Sequence, residues 1–254
     1  MKTGWRMAKE GKIQSIERAI AVLNCFQRHT SLGVTELSTL LQLNKSTVFG
    51  IVRTLADEQF LTQSPETGKY QLGPALLRLG NLVDTDLRRI CQPYLTKLSA
   101  QMEETTNLVL PNGGDVVYIE KKESPQSVRI CTEIGKSLPM YCTATGKAIL
   151  AFLPPAQQEQ TITAMQFFPF TRNTILDLQS LRAALEEVRS AGYAMDREEW
   201  EMGLVCVSAP IFNSVRQPVA AISCSGPKQR MTEAKLETAA QLLLRAAGEI
   251  SGQL

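Results

Sequence analysis

Between residues 34 and 58 the apolar positions fall on two short helical stripes separated by a turn. Leu37, Leu40 and Leu41 share one side of the first, and Val48, Ile51, Val52 and Leu55 follow the i, i+3, i+4, i+7 rule in the second. Thr35 is placed to accept from the free N–H groups of the first helix, and Asn44 is a good N-cap for the second. At about 100° per residue, Ser46, Gly50, Arg53 and Asp57 point away from the apolar stripe, with Thr47 and Phe49 on its flanks. Lys45, Ser46 and Thr47 thus open the outward face with a cation and two small hydroxyls. Such a helix start suits the major groove, where side chains meet base edges and the N–H dipoles face phosphate. Read alone, the pair is equally a compact helical hairpin with a solvated face.

The flanking pattern changes that reading. Residues 14–28 place Ile16, Ala19, Ile20, Leu23 and Phe26 at helical spacing, with Ser15 as cap. Residues 60–63 and 69–72 read as two strands joined by Ser64-Pro65-Glu66-Thr67-Gly68, a hairpin whose tip carries Lys69 towards phosphate or the minor groove. Helix, helix, recognition helix and wing follow one another within sixty residues. That order predicts a winged helix-turn-helix.

Gly73-Pro74 closes the first pattern. Leu76, Leu77, Leu79, Leu82 and Val83 then mark a connecting helix over 75–83, more apolar than a lone linker should expose, and therefore expected to pack on a second copy. A helix over 87–103 follows, with Pro93 near its first turn. From Asn107 the period shortens. Strands are predicted at 108–110 and 116–119 around an Asn112-Gly113-Gly114-Asp115 turn, and again at 127–132, 206–212 and 219–225. Helices are predicted over 145–152, from Pro154-Pro155 onward, over 178–191 with Gly192 at the C-cap, and over 232–250. Antiparallel hairpins with helices between and after them make an α+β sensor domain. The expected division is a flexible tail over 1–13, the DNA-binding domain over 14–73, a linker over 74–86 and an effector domain over 87–254.

Composition bounds this picture without redirecting it. The 254 residues are 44% hydrophobic, enough to bury a core, and the net charge is only +2. Residues 1–75 hold nine Lys and Arg against six Asp and Glu, so +3, and the remainder eighteen against nineteen, so −1; the weak cationic bias lies with the helix pair. Six scattered cysteines without a CxxC fit a reducing cytoplasm, and no apolar run approaches a membrane span. His29, the single histidine, falls in the first domain, so Cys142 or Cys206 has no base to activate it, and no second histidine completes a metal site. Neither catalysis, a metal nor a cofactor is expected.

Three stretches of the second domain carry polar groups where a plain core would not. Met140-Tyr141-Cys142-Thr143-Ala144-Thr145-Gly146-Lys147 contains a helix start, either an ordinary cap or N–H groups open to an anion. Asp196 lies in an acidic cluster after a short strand. The cluster is a solvated loop, or Asp196 points inward and needs a hydroxyl or N–H beside it. In 219–226, alternation puts Ser223 and Ser225 on one face and Ile222 and Cys224 on the other. The two hydroxyls either meet solvent or converge on a bound carboxylate.

These motifs, in this order, resemble the IclR-type (isocitrate lyase regulator) family of bacterial transcription factors. The resemblance rests on Leu43-Asn44-Lys45-Ser46-Thr47-Val48, Gly68-Lys69-Tyr70-Gln71-Leu72-Gly73, Cys142-Thr143-Ala144-Thr145-Gly146-Lys147-Ala148, Asp196-Arg197-Glu198-Glu199, Gly203-Leu204-Val205-Cys206-Val207-Ser208-Ala209-Pro210 and Ala221-Ile222-Ser223-Cys224-Ser225-Gly226-Pro227. It implies an N-terminal winged helix-turn-helix, a dimerising linker helix and a C-terminal GAF-like antiparallel sheet with flanking helices. It further implies palindromic operator DNA bound by dimers or tetramers, and a small organic acid as effector: a hydroxy- or oxo-acid, an aromatic acid or a sugar acid. By resemblance, the ligand set is the amides of Ala144 and Thr145 with Asp196, Cys206, Ser223 and Ser225. Asp196 would take the ligand's hydroxyl, and the amides and serines its carboxylate. The DNA-reading set is Thr35, Lys45, Ser46, Thr47, Phe49, Gly50, Arg53 and Lys69. Relatives often carry His or Tyr followed by Arg where Phe49-Gly50 stands, and losing that arginine removes a contact worth about 1–3 kcal/mol if it read a base. The implied function is a repressor. An activator of a catabolic pathway, or a winged-helix sensor or scaffold that binds protein, are the other readings.

Overall fold

Two compact units divide the chain between Thr85 and Asp86. The computed structural model describes residues 13–27, 29–83 and 85–254. Residues 1–12 of the expected tail over 1–13, and Arg28, the predicted last residue of the first helix, lie outside the described residues.

The first unit is three helices and a hairpin. Helix α1 spans Gln14–Cys25, α2 Val34–Leu41 and α3 Lys45–Asp57. Strands β1 (Leu61–Gln63) and β2 (Tyr70–Leu72) pair antiparallel, Leu61 facing Leu72. Val22, Phe26, Leu37, Leu41, Val48, Val52, Leu61 and Tyr70 bury one shared core, as the helical periods require. Leu32 bridges Tyr70 through both backbone hydrogen bonds, at 3.0 and 2.9 Å, and ties the hairpin to the α1–α2 loop.

The caps differ from expectation. Ile13, not Ser15, precedes α1, and it has no side-chain cap. Gly33, not Thr35, precedes α2, and its N–H is held by the Glu36 carboxylate at 2.7 Å. A reaching carboxylate one turn on can satisfy an end from which the hydroxyl is already inside the helix. Asn44 occupies the N-cap position of α3 with extended backbone, but its side chain makes no capping bond. Helix α4, Pro74–Gly80, is shorter than the 75–83 predicted, because the chain turns at 81–83.

In the second unit, α5 (Thr85–Met102) leads into one six-stranded sheet ordered β5-β4-β3-β8-β7-β6, antiparallel throughout. Its strands are β3 (Thr105–Asn112), β4 (Asp115–Lys122), β5 (Ser137–Pro139), β6 (Ala194–Arg197), β7 (Leu204–Phe212) and β8 (Pro218–Pro227). Helices α5 and α9 (Glu233–Ser251) cover one face over Leu108, Val207, Ile222 and Cys224. On the other face, α6 (Ala144–Leu150) and α8 (Leu178–Ala191) pack with Val109, Tyr118 and Ala221, and α7 (Pro155–Thr163) adds Ile162. The fold is α+β.

The strand expected over 127–132 is absent. The Ile130 carbonyl accepts from Thr105 Oγ1 at 2.8 Å and that of Thr132 from Lys121 Nζ at 2.7 Å, so side chains satisfy backbone that a ladder would otherwise pair. The edge strand is β5 instead.

Candidate functional site

Two surfaces carry chemistry, one in each unit. On α3, Val48 and Val52 are fully buried while Lys45, Ser46, Phe49, Gly50 and Arg53 are exposed and Thr47 is half-buried. The turn that aims this helix is closed by Gln42 in left-handed conformation and by Ser38, whose hydroxyl donates to the Leu43 carbonyl at 2.6 Å. Phe49 leaves 51% of its surface in solvent. A large aromatic on an otherwise polar face is costly unless something covers it. Thr35 is also exposed, but its side chain is absent from the α2 cap. Lys69 sits at the return of the hairpin turn, with its ammonium 2.9 Å from Glu36. Both groups are about half in water, so this pair is a weak tie that phosphate can displace.

In the second unit, register builds the other site. Asp196 faces Cys206 across β6–β7, and Cys206 faces Ser225 across β7–β8, so three polar residues stand in one row over the sheet. Ser223, two residues along β8, pairs with Asn107 on β3. The row and the first residues of α6 enclose a cavity of about 60 Å³. At roughly 10–15 Å³ per water-sized position, that is room for a small organic molecule. Ala144, Thr145, Asp196, Cys206, Ser223 and Ser225 all line it, beside Tyr118, Leu138 and Trp200. Asp196 belongs to β6 itself rather than to a loop after it.

Asn107 escaped sequence reasoning. Fully buried, it donates through Nδ2 to the Ser223 and Ser225 hydroxyl oxygens, at 3.3 and 3.4 Å, and accepts from Thr132 Oγ1 at 2.6 Å. With its oxygen engaged as an acceptor, the Ser223 hydroxyl is left to donate, while the Ser225 hydroxyl also bonds the Cys206 thiol beside it. The α6 start supplies further donors: Thr143 caps Gly146 N–H at 3.2 Å, while the acceptors for Ala144 and Thr145 N–H would lie before the helix begins.

The electrostatics are those of a proton-holding pocket. Asp196 is 1% exposed, and its Oδ1 accepts from the Glu199 N–H at 2.7 Å. Lys147 is committed to Glu199 in a buried ion pair. Burial first and the neighbouring Glu199 charge second push the Asp196 carboxyl up to about 7. Burial and the same aspartate hold the Cys206 thiol far above its ordinary range, so it remains S–H. Burial likewise raises the Tyr118 phenol.

A pH dependence follows. An unfolded aspartate titrates near about 4, so between about pH 4 and 7 the folded chain keeps a proton that the unfolded chain has released. The contribution to stability is whole below about 4, declines as pH rises, and is absent above about 7. Asp196→Asn keeps the bond from Glu199 N–H and removes the buried charge. The variant is expected to be more stable than the parent at pH 8 by on the order of a few kcal/mol, and so to melt higher, with the gain shrinking towards pH 5. Equal melts at both pH values would remove the buried charge from the account.

Known proteins resemble the chain in sequence and fold over both units. Residues 15–65 match the IclR helix-turn-helix domain and residues 80–252 the bacterial transcriptional regulator IclR C-terminal domain. The chain is 36% identical over 245 residues to the HTH-type transcriptional regulator XynR of Escherichia coli, covering 95% of this chain and 97% of that one. The crystal structure of the Thermotoga maritima IclR superposes with a TM-score of 0.78 at 31% identity, covering 96% and 99% of the two chains. An IclR homologue from Microbacterium hydrocarbonoxydans, complexed with 4-hydroxybenzoate, shares the fold at TM-score 0.82 and 22% identity, covering 95% and 99%.

Proposed function

The chain belongs to the IclR family of bacterial transcriptional regulators, and on that premise we propose that it represses a palindromic operator until a small organic acid fills the cavity of its second unit. It is a DNA-binding regulator with a ligand-binding C-terminal domain, not an enzyme. The observation that carries the proposal is the joint presence of an exposed polar helix face and a donor-lined cavity on one chain.

The DNA-reading group is assigned to Lys45, Ser46, Thr47, Phe49, Gly50 and Arg53, with Thr35 and Lys69 meeting the backbone. Residues 14–73 read DNA, 74–86 pair two copies and 87–254 sense the effector, within the cytoplasm. Leu77, Leu79, Leu82 and Val83 stand exposed, which supports a second copy as their cover. In the cavity, Ala144 and Thr145 N–H with Ser223 and Ser225 hold the acid's carboxylate, Asp196 takes a hydroxyl and Cys206 packs beside them. The complex of the Microbacterium homologue with a hydroxylated carboxylic acid supports this class. The bound acid favours one spacing of the two winged helices over another, shifting the population that fits successive major grooves.

Two variants of α3 test the DNA half. Arg53→Ala is expected to weaken operator binding by about 1–3 kcal/mol, roughly five- to 150-fold, at fixed salt. Beyond the backbone of its own helix, Gly50 has no neighbour within 4 Å of where a Cβ would stand, so the fold itself does not demand glycine there. Gly50→Ala should stabilise the first unit by up to about 1 kcal/mol and yet weaken operator binding, because the added methyl meets DNA. Unchanged affinity in both variants, measured by fluorescence anisotropy, would remove this face from the interface.

A further inference from the structure

β6 is an edge strand, with β7 on one side and no strand on the other among the described residues. Along that open side, between β6 and α8, runs a groove of about 410 Å³. Ile175, Ala184, Val188 and Met195 give it apolar walls, and Lys147, Glu187, Arg197 and Glu199 supply its charges. The two cations are already committed. Lys147, 4% exposed, pairs with Glu199 Oε1, and the Arg197 guanidinium meets both oxygens of Glu233, at 2.6 and 2.8 Å. The two carboxylates are not. Glu199 is 8% exposed, and its Oε2 is buried without a hydrogen-bond partner among the described residues. Glu187, exposed on α8, has no ion pair among the described residues. A buried carboxylate oxygen that has lost water and gained no donor is unfavourable, so a donor at that point is favoured.

We propose that this groove is a second ligand site and that it takes a small organic ammonium ion. The charged nitrogen donates to Glu199 Oε2, Glu187 adds negative charge, and the aliphatic body lies on the apolar walls. An anion entering here would find both cations paired, whereas an ammonium completes the orphaned oxygen through a charge-assisted hydrogen bond. A bare divalent cation fits less well, since Ca²⁺ takes about six to eight oxygens and four of these walls offer only carbon or sulfur. The groove is distinct from the cavity above the sheet, whose lining includes neither Lys147 nor Glu199. The two nevertheless meet at one residue. The Glu199 N–H holds Asp196 Oδ1 at 2.7 Å, while the residue itself lines the groove. An ammonium bound there is a second input beside the acid cavity, and its binding does not depend on what that cavity holds.

The test titrates n-butylamine and 1-butanol into the full chain by calorimetry, at pH 7 and constant ionic strength. The parent should bind the amine at least about tenfold more tightly than the alcohol, which has the same body without the charge. Glu199→Gln should weaken the amine by more than about tenfold, and Glu187→Gln, at an exposed position, by about two- to fivefold. Ala191→Trp, on the exposed last residue of α8 and in the groove wall, should block the amine outright. Glu199→Gln also strips Lys147 of its charged partner and can fail to fold. Glu187→Gln and Ala191→Trp, both on the surface, then decide the matter alone. No amine binding by the parent, or equal binding of amine and alcohol, would overturn the proposal. Parent-like amine binding in both Glu187→Gln and Ala191→Trp would place the amine elsewhere and overturn it as well. None of these results bears on acid binding in the cavity, so the two readings fail separately.

Discussion

Asp196→Ala combined with Ser223→Ala is expected to abolish the effector response while operator affinity stays at the parent value. The two residues approach the cavity from different strands, β6 and β8, and hold different parts of the ligand. A hydrogen bond to a charged group contributes about 1.5–3 kcal/mol and a neutral one about 0.5–1.5, so losing both removes two to three orders of magnitude in affinity. The fold should survive. Removing Asp196 relieves the desolvation of a buried carboxyl, which offsets the acceptor lost from Glu199 N–H, and Ser225 remains as an acceptor for Asn107 Nδ2. The readout is release of labelled operator on titrating effector. A double variant that still releases operator would show that the acid binds elsewhere. One that no longer binds operator at all would show that these residues shape the DNA-binding state directly.

The acid should also bind less well as pH rises through about 7. There Asp196 loses the proton that lets it sit beside an anion, and its charge repels the incoming carboxylate. Below that pH, the protonated carboxyl donates as well as accepts.

What the sequence made legible was local and periodic. The stripes of α2 and α3 follow from 3.6-residue spacing, and α8 runs from Leu178 to Ala191 with Gly192 in left-handed conformation, as the capping pattern reads. Alternation placed Ser223 and Ser225 together, opposite Ile222 and Cys224, which lie in the α5–α9 core. The remainder depends on register between distant strands. Asn107 joins the two serines only because β3 pairs with β8, 116 residues away, and no period in either strand announces it. Residues 127–132 have the composition of a strand, but Thr105 and Lys121 take their carbonyls. Thr35 has the chemistry of a cap, but Glu36 reaches the Gly33 N–H from one turn on. In each case a partner elsewhere in space outbid the local preference.

Gly146→Ala is expected to damage the second unit more than any other single methyl, and the reason is geometric. A Cβ at Gly146 would stand 2.2 Å from Met140 Cα and 2.4 Å from the Met140 carbonyl oxygen. Those atoms are backbone, so no rotamer change relieves the overlap, and the 3-10 turn Met140–Cys142 must move away from α6. That movement pulls on Thr143, whose hydroxyl caps Gly146 N–H and donates to the Pro139 carbonyl at 3.0 Å. Overpacking a core costs about 1–3 kcal/mol, and a clash with fixed backbone belongs at or above the top of that range. The displaced turn runs through Thr143 directly into the Ala144 and Thr145 amides at the start of α6, so effector response should fall along with melting temperature, whereas the first unit's own helices should keep their far-ultraviolet signal. Gly50→Ala, on a helix with open space around it, serves as the matched control. If Gly146→Ala melted at the parent temperature and released operator at the parent effector concentration, the close approach of the turn to α6 would not exist in solution, and the cavity built on it would need another floor.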